Sequence, residues 1–182
     1  AEMTVLENVL TGLNQRVESG FLGIVLGLPG PNRIETGATP QALEARTTPR
    51  TRLLILNSPS NPTGAVYTRK ELEGIGDFVL RHDLAVLSDE IYEPLTYGGE
   101  RAPSLASISK DLWERTVTVN GVSKSYAMTG WRIGYAAAPK AVADAMGKLQ
   151  SHVTSNPTAV AQYASLAALT GPQDAVEAAR RE

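Results

Sequence analysis

Lys124 and Arg132 stand eight positions apart in the run Gly121-Val122-Ser123-Lys124-Ser125-Tyr126-Ala127-Met128-Thr129-Gly130-Trp131-Arg132-Ile133-Gly134. The lysine follows an apolar stretch containing Val117 and Val119 and is flanked by small residues, which places it on a strand-to-loop turn. An amine in that position can form a Schiff base with an aldehyde. A guanidinium further along the loop can grip a phosphate with its planar fork. Two more apolar runs end in polar residues. Leu53-Leu54-Ile55-Leu56 leads into Asn57-Ser58-Pro59-Ser60-Asn61-Pro62, and Leu84-Ala85-Val86-Leu87 leads into Asp89 and Tyr92. Taken singly, these residues read blandly. Asn61-Pro62-Thr63-Gly64 suits a turn, Asp89 and Glu90 suit a charged loop, and Tyr92 suits a half-buried aromatic. Taken together, three strand ends deliver Asn61, then Asp89 with Tyr92, then Ser123 with Lys124.

The elements that must position them can be read from hydrophobic periodicity. Val5, Leu6, Val9, Leu10, Leu13 and Val17 recur at helical steps until Ser19-Gly20, and Phe21 to Leu28 reads as a short strand broken by Pro29-Gly30-Pro31-Asn32. Thr39 before Pro40 predicts a helix start, because proline at the first helical position loses no hydrogen bond. Leu53–Leu56 is a buried strand. Thr68 and Glu71 form a capping box for a helix to about Arg81 whose inner face is Leu72, Ile75, Phe78 and Val79. Strands follow at Leu84–Leu87, Thr116–Val119 and Ile133–Ala138, then helical patterns at about 140–150, 157–169 and 173–181.

Apolar strands alternating with helices predict an α/β fold, with a mostly parallel open sheet and helices on both faces. The stretch between Lys124 and the fourth strand is too short for a helical crossover, so that strand should run antiparallel to the third. Ligands of such sheets bind beyond the carboxyl ends of the parallel strands, which is where the five polar residues fall.

Composition narrows the function classes. The chain has 182 residues, enough for one domain, with 42% hydrophobic and 20% charged residues and a formal net charge of -2. That charge gives no electrostatic case for nucleic acid or an anionic membrane. With no cysteine and two histidines, thiolate chemistry is excluded and a metal site is not expected. No apolar run approaches the roughly 20 residues that span a bilayer. The start lacks a signal-peptide pattern, so a cytoplasmic setting is expected.

The segments Asn57–Gly64, Leu87–Tyr92, Asn120–Tyr135 and Ser155–Ala168 resemble fold-type-I pyridoxal-phosphate (PLP) enzymes, and within them class I aminotransferases of the aspartate/aromatic kind. The resemblance runs from about Gly20 to Leu169 and implies roles residue by residue. Lys124 would form the Schiff base with PLP and shuttle a proton. Asp89 would pair with the protonated pyridine nitrogen, and Tyr92 and Asn61 would hydrogen-bond the phenolic oxygen. Arg132 would bind the phosphate, with Ser123 assisting. It implies a PLP-dependent aminotransferase acting on an L-amino acid and a 2-oxo acid, working as a homodimer. The alternative is a non-catalytic fragment or pseudoenzyme that retains the lysine scaffold. Lys124 must be neutral to attack, so burial near Arg132 is expected to depress its pKa.

Some features depart from the family. A serine often stands three residues before the lysine; here that position is Gly121. Glu90 is given no catalytic role and is expected to be a charge either behind the site residues or at the surface. Trp131 and Tyr135 are expected to pack the fourth strand, and Arg180 and Arg181 to be solvated. Residues 1–182 are expected to form a single, partial PLP-binding large domain. The family's N-terminal glycine-rich phosphate loop and stacking aromatic, and its C-terminal small domain with the carboxylate-gripping arginine, are not recognisable.

Overall fold

The computed structural model describes residues 39–97 and 100–181. The helix and strand expected within 5–28 lie outside the described residues. Helix α1 (Pro40–Glu44) begins as expected, with Thr39 Oγ1 accepting from the Ala42 amide at 3.2 Å. Strand β1 (Leu53–Asn57) is followed by helix α2 (Arg69–Arg81). The α2 capping box is complete: Glu71 N–H donates to Thr68 Oγ1, and Thr68 N–H donates to Glu71 Oε2. Strand β2 (Ala85–Asp89), a short 3-10 turn (Leu105–Ser107), helix α3 (Lys110–Trp113) and strand β3 (Thr116–Gly121) come next. A second 3-10 turn (Thr129–Trp131) precedes strand β4 (Gly134–Ala137). Helices α4 (Lys140–Val153), α5 (Ala159–Thr170) and α6 (Asp174–Arg181) complete the described chain.

The four strands form one sheet in the order β1-β2-β3-β4. The β1–β2 and β2–β3 pairs are parallel and β3–β4 is antiparallel, the arrangement the short Lys124 loop demands. The fold is therefore α/β with a mostly parallel open sheet. The second and third strands run two residues further than the apolar runs suggested, because ladder hydrogen bonds continue through the polar ends Ser88-Asp89 and Asn120-Gly121. The turn at 105–107 and helix α3 were not anticipated; each is too short to show a period.

The core lies where α1, α2, α3 and the first 3-10 turn cover one face of β1 and β2. Leu54, Leu56 and Val86 meet Leu43, Leu72, Ile75, Phe78, Val79, Leu105 and Leu112 there, all essentially sealed from solvent. The far end is different. All four residues of β4 are exposed, and α4 buries none of its residues. Trp131 and Tyr135 are each 45% exposed rather than packed as expected. They follow the lysine loop at the open edge of the sheet, where no described element covers β4. Among the described residues, no helix is long and apolar enough to cross a membrane, and no cluster of metal-ligating side chains occurs.

Candidate active site

The parallel strands β1, β2 and β3 end side by side, and their trailing residues meet at that edge. Asn57, the last residue of β1, is the hinge of the first two. Its Nδ2 donates to the Asp89 carbonyl at 3.3 Å, while its Oδ1 accepts from the Asn61 amide at 3.2 Å. The Ser58 amide also donates to the Asp89 carbonyl, at 3.1 Å. The turn then closes on itself: Gly64, at φ +69, donates from its amide to the Ser60 carbonyl at 2.8 Å. That left-handed backbone suits glycine. The loop so held presents Asn61, whose Nδ2 donates to Tyr92 Oη at 3.1 Å. Asn57 went unremarked in the sequence, where an asparagine before a proline-rich turn carries no sign of bridging two strand ends.

Asp89 ends β2 half-buried, its Oδ1 accepting from the Ile91 amide at 3.2 Å. Burial pushes its pKa above the usual carboxylate range, against the pull of that hydrogen bond and of the Lys124 charge. Among the described residues no cation forms an ion pair with it. Glu90, directly after it, is 6% exposed rather than a surface charge, and Glu93 is half-buried. Burial raises the pKa of both, and like charge from Glu93 and Asp89 adds to it at Glu90.

Lys124 follows β3 and places its Nζ 5.5 Å from the centre of the Tyr92 ring, within cation–π range. The structure thus brings Asn61, Asp89, Tyr92 and Lys124 into one neighbourhood. It corrects one expectation: Lys124 is exposed rather than buried. Ser123 is half-buried beside it. Arg132 lies past the second 3-10 turn, exposed, with Nη1 donating to the Thr129 carbonyl at 2.8 Å. Its backbone is left-handed (φ 52, ψ 50), as is that of Ala127 (φ 52). Two non-glycine residues in that region bracket the loop after the lysine, each at an energetic cost that tends to gather at working sites.

Gly121 explains one departure. A Cβ there would lie 3.1 Å from the Ile133 carbonyl oxygen, 3.1 Å from Ile91 Cδ1 and 3.2 Å from Gly134 Cα. The tight crossing of β3 and β4 leaves a serine side chain little room.

On its other side Lys124 lines an apolar cleft of about 490 Å³ with Tyr126, Met128, Val176 and Arg180. Tyr126 Oη donates to Gln173 Oε1 at 2.7 Å, tying the loop to the start of α6. Arg180, expected to be solvated, is only 17% exposed and pairs with Glu177 at 2.7 Å, because α6 folds back against the lysine loop.

Comparison with known proteins places these features in context. The sequence model of the family described as "Aminotransferase class I and II" matches residues 33–182. An aspartate aminotransferase from Geobacillus stearothermophilus is 52% identical over 87% of this chain and 40% of its own length. An aspartate/prephenate aminotransferase from Cereibacter sphaeroides is 53% identical over 78% of this chain and 36% of its own. Among solved structures, an aromatic aminotransferase from Pyrococcus horikoshii superposes with a TM-score of 0.82 at 39% identity, covering 99% of this chain and 54% of that one. The chain thus spans well under two thirds of the relatives it matches.

Proposed function

This chain belongs to the class I and II aminotransferase family, whose members use pyridoxal phosphate, and we propose that the protein transfers an amino group between an L-amino acid and a 2-oxo acid. The observation that carries this is the convergence from three strand ends: an amide–phenol bond of 3.1 Å between Asn61 and Tyr92, with the Lys124 nitrogen 5.5 Å from the same phenol ring.

The donor set fits pyridoxal phosphate. Asp89 is a half-buried carboxylate whose pKa is raised by burial, and a protonated ring nitrogen beside it would offset that cost by favouring the charged form. Tyr92 already accepts from Asn61, so its own hydroxyl proton remains to donate to an anionic oxygen. Lys124 would hold the cofactor's aldehyde carbon, and Arg132 with Ser123 its phosphate. When bound, the cofactor supplies an electron sink for the pair left by a broken Cα–H bond. As a neutral amine, Lys124 Nζ would take the substrate's Cα proton and deliver it to the carbon that had been the cofactor's aldehyde. Asp89 would keep the ring nitrogen protonated, and the Arg132 fork would fix the phosphate so that the lysine stays in register.

The same proposal takes residues 1–182 as one partial large domain of a cytoplasmic homodimer. Exposed Val160, Tyr163, Leu166 and Leu169 on α5 form apolar surface that suits a second copy. A second reading, a non-catalytic chain that keeps the scaffold, is favoured by the exposure of Lys124 and Arg132. A coupled aminotransferase assay separates the two. The names of the relatives make aspartate and an aromatic amino acid the first donors to try. Keto-acid formation that requires added cofactor supports the enzyme; cofactor uptake without turnover supports the scaffold.

A further inference from the structure

Glu90 is a carboxylate in a costly place. It is 6% exposed, and among the described residues no cation pairs with it. One oxygen, Oε1, accepts from two hydroxyls instead: Ser88 Oγ at 2.8 Å and Ser104 Oγ at 2.8 Å. A buried charge answered only by hydroxyls destabilises the fold relative to an apolar side chain of the same size. Its hydrogen bonds are therefore better explained by what they hold in place.

The chain around it shows what that is. Glu90 N–H still continues the ladder, donating to the Val119 carbonyl at 2.9 Å. Strand alternation puts Ser88 and Glu90 on one face of the sheet and Asp89 on the other. After Glu90 the chain turns: Ile91 N–H bonds Asp89 Oδ1 at 3.2 Å, Glu93 N–H bonds the Glu90 carbonyl at 2.9 Å, and Leu95 N–H bonds the Tyr92 carbonyl at 2.8 Å. The chain returns at Ser104, which stands at the N-cap position of the first 3-10 turn with its hydroxyl turned to Glu90 rather than to the turn, and Leu105 is in the core.

We propose that Glu90 is a positioning residue of the candidate site: its carboxylate ties Ser104, anchored through Leu105, to Ser88 inside β2, and so fixes from behind the turn that presents Asp89 and Tyr92. The proposal rests on the reading that Asp89 and Tyr92 serve the cofactor, and the test separates the two. Amide hydrogen exchange is measured by mass spectrometry on the whole chain without ligand, and the affinity for pyridoxal phosphate by absorbance titration, for wild type, Glu90→Ala, Glu90→Gln and Ser104→Ala. Glu90→Ala should speed exchange at Ile91–Leu95 at least about tenfold while β1 and α2 keep their protection, and should weaken cofactor affinity about tenfold. Glu90→Gln should restore both to within about twofold, because an amide oxygen accepts from both serines as the carboxylate does. Ser104→Ala should fall between. Unchanged exchange at Ile91–Leu95 in Glu90→Ala would overturn the proposal, and so would a Glu90→Gln variant as impaired as Glu90→Ala. If Glu90→Ala does not fold, the comparison of Glu90→Gln and Ser104→Ala with wild type decides: near-wild-type exchange in the first and faster exchange in the second support it, the reverse contradicts it. Should wild type take up no cofactor, the site reading fails, and the exchange data alone judge the tether.

Discussion

The two halves of the candidate site rest on unequal supports. Asn61, Asp89 and Tyr92 follow β1 and β2, strands pressed against the sealed cluster of Leu54, Leu56, Leu72, Ile75, Phe78 and Val86. Lys124 and Arg132 lie on the loop between β3 and β4, and β4 is exposed along its whole length beside an α4 with no buried residue. One half is fixed by packing that the described residues supply themselves. The hydrogen bonds on the other half include a local one from Arg132 to the Thr129 carbonyl and a long-range one from Tyr126 to Gln173. Identifying a site's residues is thus separate from having the site poised. Asn61, Asp89 and Tyr92 are tied by hydrogen bonds at the ends of packed strands, while Lys124, the amine of the proposed site, is exposed.

The comparison can be broken most forcefully by truncating each side. Phe78→Ala should cost about 3–5 kcal/mol of unfolding free energy, the range for a buried aromatic. Leu149→Ala, on exposed α4, should change it by less than about 0.5 kcal/mol. Denaturant titration of both variants checks this; comparable losses would mean that the open half is packed as firmly as the core.

Asp89→Ala sharpens it at the level of chemistry. In a preparation that exchanges the α-hydrogen of an amino acid with solvent, the variant should keep cofactor occupancy but exchange at least about tenfold more slowly, a rise of about 1.4 kcal/mol or more in the barrier. An unchanged exchange rate at equal occupancy would remove Asp89 from its role.

The smallest effect is in pH. Burial raises the pKa of Asp89, Glu90 and Glu93, so between the ordinary carboxylate range and those raised values the folded chain binds more protons than the unfolded one. Stability from these groups is therefore fully present at the acid end of that window and declines as pH rises through it. Glu44 and Glu71 act oppositely. Hydrogen bonds from Arg81 and from Thr68 lower their pKa values, and that contribution is lost as pH falls below the ordinary range. Thermal unfolding should show a maximum on the mildly acidic side of neutrality. Glu90→Gln should flatten the neutral limb, raising Tm there by about 2–4 °C, the shift that ~1 kcal/mol produces in a domain of this size. A neutral limb unchanged by the substitution would contradict the cost assigned to that buried carboxylate.

Much of the tight half was legible in the sequence because its signals are local. Thr68 and Glu71 announce a capping box, Leu72 to Val79 announce the buried face, and four apolar runs announce the strands. The antiparallel β4 followed from loop length alone. The candidate site residues were named from a resemblance, and those it set at strand ends, Asn61, Asp89, Tyr92 and Lys124, come together in the structure. What could not be read depends on long-range contacts. Asn57 bridges β1 to β2 through its side chain, Glu90 meets Ser104 fourteen residues away, and Arg180 reaches the lysine loop only because α6 folds back. The expected packing of Trp131 and Tyr135 failed for the same reason. Aromatic character predicts burial only where an element covers the strand, and none of the described elements covers β4.

The central claim is that Lys124 is the amine of a pyridoxal-phosphate site. It is tested most directly by adding the cofactor to the purified chain, reducing with borohydride and mapping the modified peptide. The account predicts a reduced adduct on Lys124, abolished in a folded Lys124→Ala variant. An adduct on Lys110, Lys140 or Lys148 instead, or one that survives the substitution, would contradict it.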